Sequence, residues 1–134
     1  MALADHAASA AHWSAGQYQQ IFANSFLRRV VLVIEEQSVL QAFLVGRVLN
    51  TEWEIENVVV TNSRRGQGLG KQLLDEFLKV SQKEGARTIF LEVRESNLAA
   101  RRLYEKCGFV ENGRRQRYYK EPEEDAILYE LSLY

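Results

Sequence analysis

A glycine-rich segment, "SRRGQGLGKQLLDEFLK" at residues 63–79, carries the clearest chemical pattern in the sequence. Two arginines and three glycines stand directly before an amphipathic helical pattern, which predicts a loop that leads into a helix N-terminus. Unpaired backbone N–H groups and the positive end of the helix dipole attract an anion there. The segment therefore predicts a phosphate site, although a glycine-rich turn that merely starts a helix would have the same composition.

The spacing of the glycines excludes the commonest phosphate loops. A Walker A loop needs glycine where Arg65 stands, five residues before Gly70. A dinucleotide fingerprint needs G-x-G-x-x-G, whereas the glycines run G-x-G-x-G from Gly66 to Gly70. The pattern that remains is R-x-x-G-x-G, from Arg65 through Gly68 to Gly70.

The composition of the chain narrows its function further. With 134 residues, of which 46% are hydrophobic and 26% charged, it predicts one globular domain over residues 1–134. A net charge of -1 argues against a direct nucleic-acid or membrane partner. One cysteine, Cys107, and two histidines, His6 and His12, offer no set of metal ligands, so we expect no metal.

The sequence shows no sign of membrane insertion or export. No apolar run approaches the roughly 20 residues that span a bilayer, and "MALADHAASAAHW" lacks the basic start of a signal peptide. We therefore expect a cytoplasmic protein.

The segments around the loop alternate between strand and helix patterns. Apolar, β-branched runs at 28–36 and 39–49 predict a hairpin, and 52–60 predicts a third strand. A helix is predicted from about Gly68 to Gly85, a strand at 88–93, and a second helix from Ser96 or Asn97 to Gly108. Strands near 109–119 and 126–133 close the chain. The Ala-rich stretch 6–26 predicts one or two short helices.

Two sequence blocks together resemble one known family. R-x-x-G-x-G after a V-V-V strand is similar to the pyrophosphate loop of the GNAT family of acetyl-CoA-dependent N-acetyltransferases. The segment "LEVRESNLAARRLYEKCGF" is similar to the strand and helix that follow in that family. The residues that carry this second resemblance are Asn97, Ala99, Ala100, Leu103, Tyr104, Gly108 and Phe109.

The resemblance implies a fold and a cofactor. The fold is α/β, with a mixed, mostly antiparallel central sheet and flanking helices. The family's first strand is missing, because only twelve residues precede the matching Trp13. The cofactor is acetyl-CoA, and the residues implied to bind it are Val58, Val59, Val60, Arg65, Gly66, Gln67, Gly68, Leu69, Gly70, Lys71, Asn97 and Tyr104.

Within the family, "LEVR", "SN.AA...LYE..GF", "RQRYY" and "EDAI" are similar to the RimI-type enzymes, which acetylate the N-terminal alanine of a ribosomal protein. This resemblance implies Glu92 as general base and Tyr104 as general acid. Tyr118 and Tyr119 match paired tyrosines that flank the acceptor peptide. The implied partner is a protein N-terminus, such as that of a ribosomal protein.

Other roles for these residues stay open. Glu92 could be a strand glutamate paired with Arg94 or with an arginine across the sheet, and Tyr104 could be a core tyrosine. Glu54, in the alternating run Glu52, Glu54 and Glu56, could hold a cationic amine or be the base. We expect a backbone N–H near Val59 or Val60, where the strand bulges or splays, to stabilise charge on the acyl oxygen.

Two further residue types have mainly structural explanations. Cys107 stands at an apolar helix end, which favours buried packing over a nucleophile. The arginines of "GRRQRYY" could steer an acidic ligand or the adenosine 3′-phosphate, or could lie on a solvated strand. Arg64, Arg65 and Lys71 are better placed near the pyrophosphate.

Three functions are compatible with these patterns. The first is acetylation of a protein N-terminus by direct transfer in a ternary complex. The second is acetylation of a small amine or a lysine side chain. The third is a non-catalytic acyl-CoA-binding module. The Ala-rich N-terminus leaves the acceptor open, and pairing at an open sheet edge would allow a homodimer as well as a monomer.

Overall fold

The computed structural model describes residues 11–13, 16–22 and 28–133, which form one sheet and two α-helices. The strands are β1 (Ala11–Trp13), β2 (Gly16–Phe22), β3 (Arg28–Glu36), β4 (Val39–Leu49), β5 (Glu52–Val60), β6 (Thr88–Arg94), β7 (Val110–Tyr119) and β8 (Glu124–Ser132). The helices are α1 (Leu69–Lys83) and α2 (Leu98–Lys106).

The sheet has the order β1-β2-β3-β4-β5-β6-β8-β7. Every neighbouring pair is antiparallel except β5 and β6, which are parallel. Parallel neighbours need a crossover, and the glycine loop with α1 supplies it. The expected mixed, mostly antiparallel sheet with flanking helices is confirmed.

The hairpin of β3 and β4 has the bounds that the sequence predicts. Its two turn residues, Gln37 and Ser38, have φ angles of 52° and 65°. Positive φ at both positions is the signature of a type I′ turn, whose twist matches that of the flanking strands. Gln and Ser are therefore tolerated at positions where Asn and Gly are preferred.

The prediction of one or two short helices within residues 6–26 is wrong for the part of this stretch that the structure describes. β1 and β2 are strands, and β2 pairs antiparallel with β3 from Gln17 opposite Val33 to Phe22 opposite Arg28. Helix propensity is a weak preference that hydrogen bonding to a neighbouring strand overrides. The prediction that the family's first strand is missing applies to the residues before Trp13. Residues 1–10, which include His6, lie outside the part of the chain that the structure describes.

Both helices contribute to one core on one face of the sheet. Trp53 and Phe77 meet edge to face there, with ring centroids 5.9 Å apart. From β6, Ile89, Leu91 and Val93 point into the same core. A second cluster, Val31, Val33, Phe43 and Val45, lies on the opposite face. Neither described helix is long and apolar enough to cross a membrane.

Candidate active site

A gap opens in the middle of the sheet between β5 and β6. Their parallel pairing ends at Ile55 opposite Leu91. At the same level β5 carries one extra residue, because Gly46 of β4 opposes Ile55 while Val45 opposes Asn57. This bulge lies at Glu56, earlier than the expected Val59 or Val60. A bulge bends its strand, so the last residues of β5 turn away from β6.

Backbone groups of β5 line this gap. The N–H of Thr61 donates to the carbonyl of Gln41 over 2.9 Å, in register with the pairing of Val60 and Ala42. Because paired and unpaired positions alternate along an antiparallel ladder, Val59 faces β4 and the backbone groups of Val58 and Val60 face the gap. The backbone N–H groups of these two residues therefore point into the gap, and the Val60 carbonyl accepts from Nε of Arg65 over 3.4 Å.

The glycine loop leads from this gap into α1. Gly66 and Gly68 have φ angles of 77° and 81°, and a Cβ at either would meet nothing within 4 Å. The first helical bond of α1 runs from the N–H of Gln72 to the carbonyl of Gly68. The N–H groups of Leu69, Gly70 and Lys71 therefore have no acceptor within the helix. These N–H groups and the positive end of the helix dipole are the features that attract an anion to a helix N-terminus.

The third glycine serves a different purpose. A Cβ at Gly70 would lie 3.0 Å from Cδ2 of Leu103, so the missing side chain lets α1 approach α2. The three glycines from Gly66 to Gly70 thus combine two backbone requirements at the loop with one packing requirement between helices.

The cationic side chains of the loop have protein partners. Arg64 donates to Glu36 and, over 2.6 Å, to Oε1 of Gln67. Nε of Arg65 lies 3.4 Å from the carbonyl of Val60. Lys71 pairs with Asp75 on the next turn of α1 over 2.8 Å. Arg64 therefore braces the loop against the β3–β4 hairpin.

Glu92 lies on the sheet face opposite the helices. It stands between Leu91 and Val93, which point into the helix-side core, so its own side chain points the other way. Nε of Arg115 forms an ion pair with Oε1 of Glu92 at 3.0 Å; the Arg115 side chain is 57% exposed and that of Glu92 is 20% exposed. The pairing with an arginine across the sheet, kept open above, is thus present.

Glu54 lies near Glu92 on the neighbouring strand. It pairs with Nη2 of Arg47 over 2.8 Å. Burial raises the pKa of the Glu54 carboxyl, Arg47 opposes that rise, and the negative charges of Glu56 and Glu92 add to it. Glu56 pairs with Arg29 over 2.8 Å. This face therefore holds three carboxylates, each beside an arginine.

Tyr104 lies in the core on the helix side. Its ring meets those of Phe109 and Tyr129, with centroids 5.8 Å and 6.2 Å away. Burial, and to a smaller extent the nearby Tyr119, raises the pKa of Tyr104 to about 12. The phenol therefore keeps its proton at neutral pH.

Tyr119 links the two faces electrostatically. Burial raises the pKa of Tyr119, and the charge of Glu92 adds to the rise. The guanidinium of Arg94 lies 4.4 Å from the centroid of the Tyr119 ring. The ring of Tyr118 packs against Tyr119 at 5.2 Å and lies beneath Arg115 at 5.3 Å. The structure thus brings both tyrosines to the surroundings of Glu92.

The segment before α2 is held by side-chain caps. Oδ1 of Asn97 accepts a hydrogen bond from the N–H of Ala100 over 3.2 Å, which makes Asn97 the N-cap of α2. Oε1 of Glu124 accepts from the N–H of Ser96 over 2.7 Å. Asn97 therefore has a structural role beside the cofactor role that the resemblance implies.

The sequence did not predict the partners of several charged residues around the site. The arginines of "GRRQRYY" pair within the protein: Arg114 with Glu95 and Asp125, Arg115 with Glu92, and Arg117 with Glu123. Their alternation with polar residues indicated a solvated strand but not these partners.

Cys107 is free and only partly buried. Burial raises the pKa of its thiol, and the negative charge of nearby Asp75 adds to the rise. This favours packing rather than a nucleophilic role, because the thiolate is the reactive form.

The family model for the acetyltransferase (GNAT) family matches residues 3–109. A [ribosomal protein bS18]-alanine N-acetyltransferase from Escherichia coli (strain K12) is 39% identical over 94 residues, which cover 69% of this chain and 64% of that protein. The same-named enzyme from Haemophilus ducreyi is 32% identical over 132 residues, 96% of this chain and 89% of that one.

The fold is also similar to that of a solved structure. The crystal structure of the ribosomal-protein-S18-alanine N-acetyltransferase from Escherichia coli superposes with a TM-score of 0.73 at 34% identity. The superposition covers 82% of this chain and 71% of that one. The likeness therefore extends over most of the chain.

Proposed function

The chain belongs to the GNAT acetyltransferase family, and on that premise we propose that it transfers an acetyl group from acetyl-CoA to the α-amino group of a protein N-terminus. The observation that carries this proposal is the gap between β5 and β6, with Glu92 on one face of the sheet and Tyr104 on the other. A carboxylate and a protonated phenol on opposite sides of one opening suit a base and an acid that act on two different molecules.

Acetyl-CoA would lie on the helix side. Its pyrophosphate would meet the backbone N–H groups of the loop, with Arg65 and Lys71 as nearby cations. Val58 and Val60 line the gap, and Asn97 and Tyr104 of α2 would contribute further contacts to the cofactor. When bound, acetyl-CoA supplies an activated thioester.

Glu92 acts on the acceptor. A protein α-amino group has a pKa of about 7.7 to 8, so it is mostly protonated at neutral pH and must lose a proton before it can attack. Glu92 faces the side opposite the helices, where an acceptor approaches without crossing the cofactor. It takes that proton directly or through one water. Glu54, nearby on the same face, holds the cationic amine as it arrives.

Tyr104 acts on the leaving group. A thiolate that departs on the helix side needs a proton, and the buried phenol retains one at neutral pH. The backbone N–H of Val58 or Val60 stabilises the negative charge that develops on the acyl oxygen. Both groups are fixed by the fold before the reaction, so little reorganisation is needed.

A peptide acceptor is favoured by the surroundings of Glu92. Tyr118 and Tyr119 form a pair of aromatic rings beside the carboxylate, and such rings can flank an extended peptide. The relatives named for alanine N-acetylation of a ribosomal protein support the same class of acceptor, and we propose a ribosomal protein in the cytoplasm. One protomer contains every residue in these steps, so a monomer suffices.

Turnover against a panel of acceptors tests this proposal. Free thiol release from acetyl-CoA would be followed with peptides that begin with Ala, Ser or Met and with simple polyamines, while cofactor binding is measured by calorimetry. Turnover on an Ala-starting ribosomal peptide is expected. Turnover on polyamines alone would favour the small-amine function. Tight cofactor binding without turnover on any acceptor would favour the non-catalytic module.

A further inference from the structure

An irregular stretch of β7 lies beside the proposed acceptor site. Arg115 opposes Ala126 of β8, and Tyr119 opposes Glu124. Between these pairs β7 advances four positions and β8 only two, so β7 carries two extra residues. Arg117, inside this bulge, has a φ angle of 51°, which is uncommon for a residue with a side chain. Such a conformation needs support from its neighbours.

Asp125 provides that support with both carboxylate oxygens. Oδ1 accepts a hydrogen bond from the backbone N–H of Arg117 over 2.9 Å. Oδ2 accepts from Nη1 of Arg114 over 2.6 Å. These contacts hold the pKa of Asp125 below its ordinary value, the backbone bond being the largest cause. Asp125 therefore ties the strand before the bulge to the bulge itself.

The bulge places two tyrosine side chains in the surroundings of Glu92. Arg115, just before it, pairs with Glu92, and its guanidinium lies over the Tyr118 ring. Tyr118, inside the bulge, and Tyr119, at its end, meet edge to face, and Tyr119 lies under Arg94. Ala126 and Glu124 share one face of β8, so their partners Arg115 and Tyr119 share a face as well, and the two extra residues shift Tyr119 along β7 relative to β8.

We propose that Asp125 is a positioning residue for the acceptor, acting through the backbone N–H of Arg117 to hold Tyr118 and Tyr119 beside Glu92. This inference rests on the proposed function. It gives the "EDAI" segment a physical role, since Asp125 is its second residue. Asp125 is expected to affect acceptor recognition and to leave the cofactor site, on the helix side of the sheet, unchanged.

Steady-state kinetics of Asp125→Ala and Asp125→Asn test the inference. A charge-assisted hydrogen bond is lost in Asp125→Ala, so we expect the acceptor KM to rise about tenfold. The kcat value and the affinity for acetyl-CoA should change less than about threefold. Asp125→Asn keeps an oxygen that can accept from the Arg117 N–H, so it should recover most of the acceptor KM. Equal losses in kcat and cofactor affinity would indicate a merely structural role and overturn the inference.

Two variants act as matched controls. Arg114→Gln removes the partner of Oδ2 but leaves the bond to the Arg117 N–H. Glu123→Gln removes a carboxylate that forms an ion pair with the side chain of Arg117, at 3.5 Å. Both should keep the acceptor KM within about twofold of the wild-type value, because exposed ion pairs contribute little. If either matches Asp125→Ala, charge rather than the backbone bond is responsible, and the inference fails.

A spectroscopic readout separates this inference from the proposed function. Ring NMR signals of Tyr118 and Tyr119 should move in Asp125→Ala and remain in place in Arg114→Gln. If the wild-type protein acetylates no peptide, the proposed function fails, and with it the acceptor role of Asp125, even where the rings move. If the wild-type protein acetylates peptides but Asp125→Ala has unchanged kinetics and unchanged ring signals, only the inference on Asp125 fails.

Discussion

Nε of Arg115 lies 3.0 Å from Oε1 of Glu92, and this ion pair joins β7 to β6 across the intervening β8. The guanidinium occupies one oxygen of the carboxylate that we propose as the general base. An incoming α-ammonium carries the same charge and needs the same carboxylate. Arg115 and the acceptor therefore compete for Glu92.

Replacing Arg115 by Gln should strengthen acceptor binding. An exposed ion pair contributes about 0.2–1 kcal/mol, so its loss should lower the acceptor KM by up to about fivefold with little change in kcat. Steady-state kinetics over several salt concentrations would measure this. Arg117→Gln is the matched control, because Arg117 is 79% exposed and pairs with Glu123. A fall in kcat for Arg115→Gln would show instead that Arg115 orients the base.

Glu92 and Glu54 can be distinguished as candidates for the base. Glu92→Gln should lower kcat by about 10²–10⁴-fold, the usual contribution of general base catalysis. Glu54→Gln should mainly raise the acceptor KM, because it removes a charge that holds the amine but not the proton acceptor. Measuring kcat and KM for both variants, with acetyl-CoA affinity as a check on folding, decides between them. The reverse pattern would assign the base to Glu54.

The buried phenol of Tyr104 should make stability depend on alkaline pH. Its folded pKa of about 12 exceeds the ordinary value of 10.0. Between those values the unfolded chain releases the proton and the folded chain keeps it, so this contribution to stability is complete below pH 10 and is lost as pH rises towards 12. Relative to Tyr104→Phe, the wild-type free energy of unfolding should fall by about 1.4 kcal/mol between pH 9 and pH 11. Denaturant unfolding at both pH values measures this, and an equal change in the free energy of unfolding for the two proteins would contradict the prediction.

Alanine substitutions at two glycines should distinguish an effect on folding stability from an effect on acetyl-CoA binding. Gly68 and Gly85 both have positive φ angles, 81° and 93°, and both have open space where a Cβ would stand. Alanine at either should lower the free energy of unfolding by about 1–2 kcal/mol. Only Gly68→Ala should also weaken acetyl-CoA binding, by about fivefold or more, because Gly68 precedes the free N–H groups of α1. Equal acetyl-CoA affinity in both variants would show that the loop does not bind the cofactor.

The β3–β4 turn should accept a stabilising change. Gln37 and Ser38 both adopt positive φ, so Gln37→Asn with Ser38→Gly should raise the free energy of unfolding by about 0.5–1 kcal/mol. Ser38→Val, which places a β-branched side chain at a φ of 65°, should lower it. Denaturant unfolding of both variants measures the effect. Destabilisation by the Asn-Gly pair would contradict the I′ assignment.

Local patterns explain which elements were predictable. The strands at 28–36, 39–49 and 52–60 were predicted at their observed bounds, because β-branched runs and short turns are local signals. The strand Gly16–Phe22 was not, since its hydrogen bonds go to β3 and its own composition favours helix. Asp125 was visible within "EDAI", yet its role was not, because its partner is a backbone N–H in a bulge that no residue type announces.

The sequence by itself determined the glycine loop, the helices on either side of β6 and the residue types available for acid and base chemistry. Each of these depends on glycine spacing, capping residues or hydrophobic periodicity within one segment. Only the tertiary structure decided that Glu92 and Tyr104 lie on opposite faces, and that Arg115 covers the carboxylate. Those relations follow from the register of β6 and β8 and from the bulge at Glu56 that parts β5 from β6. Register is a property of paired strands, so no single segment contains it.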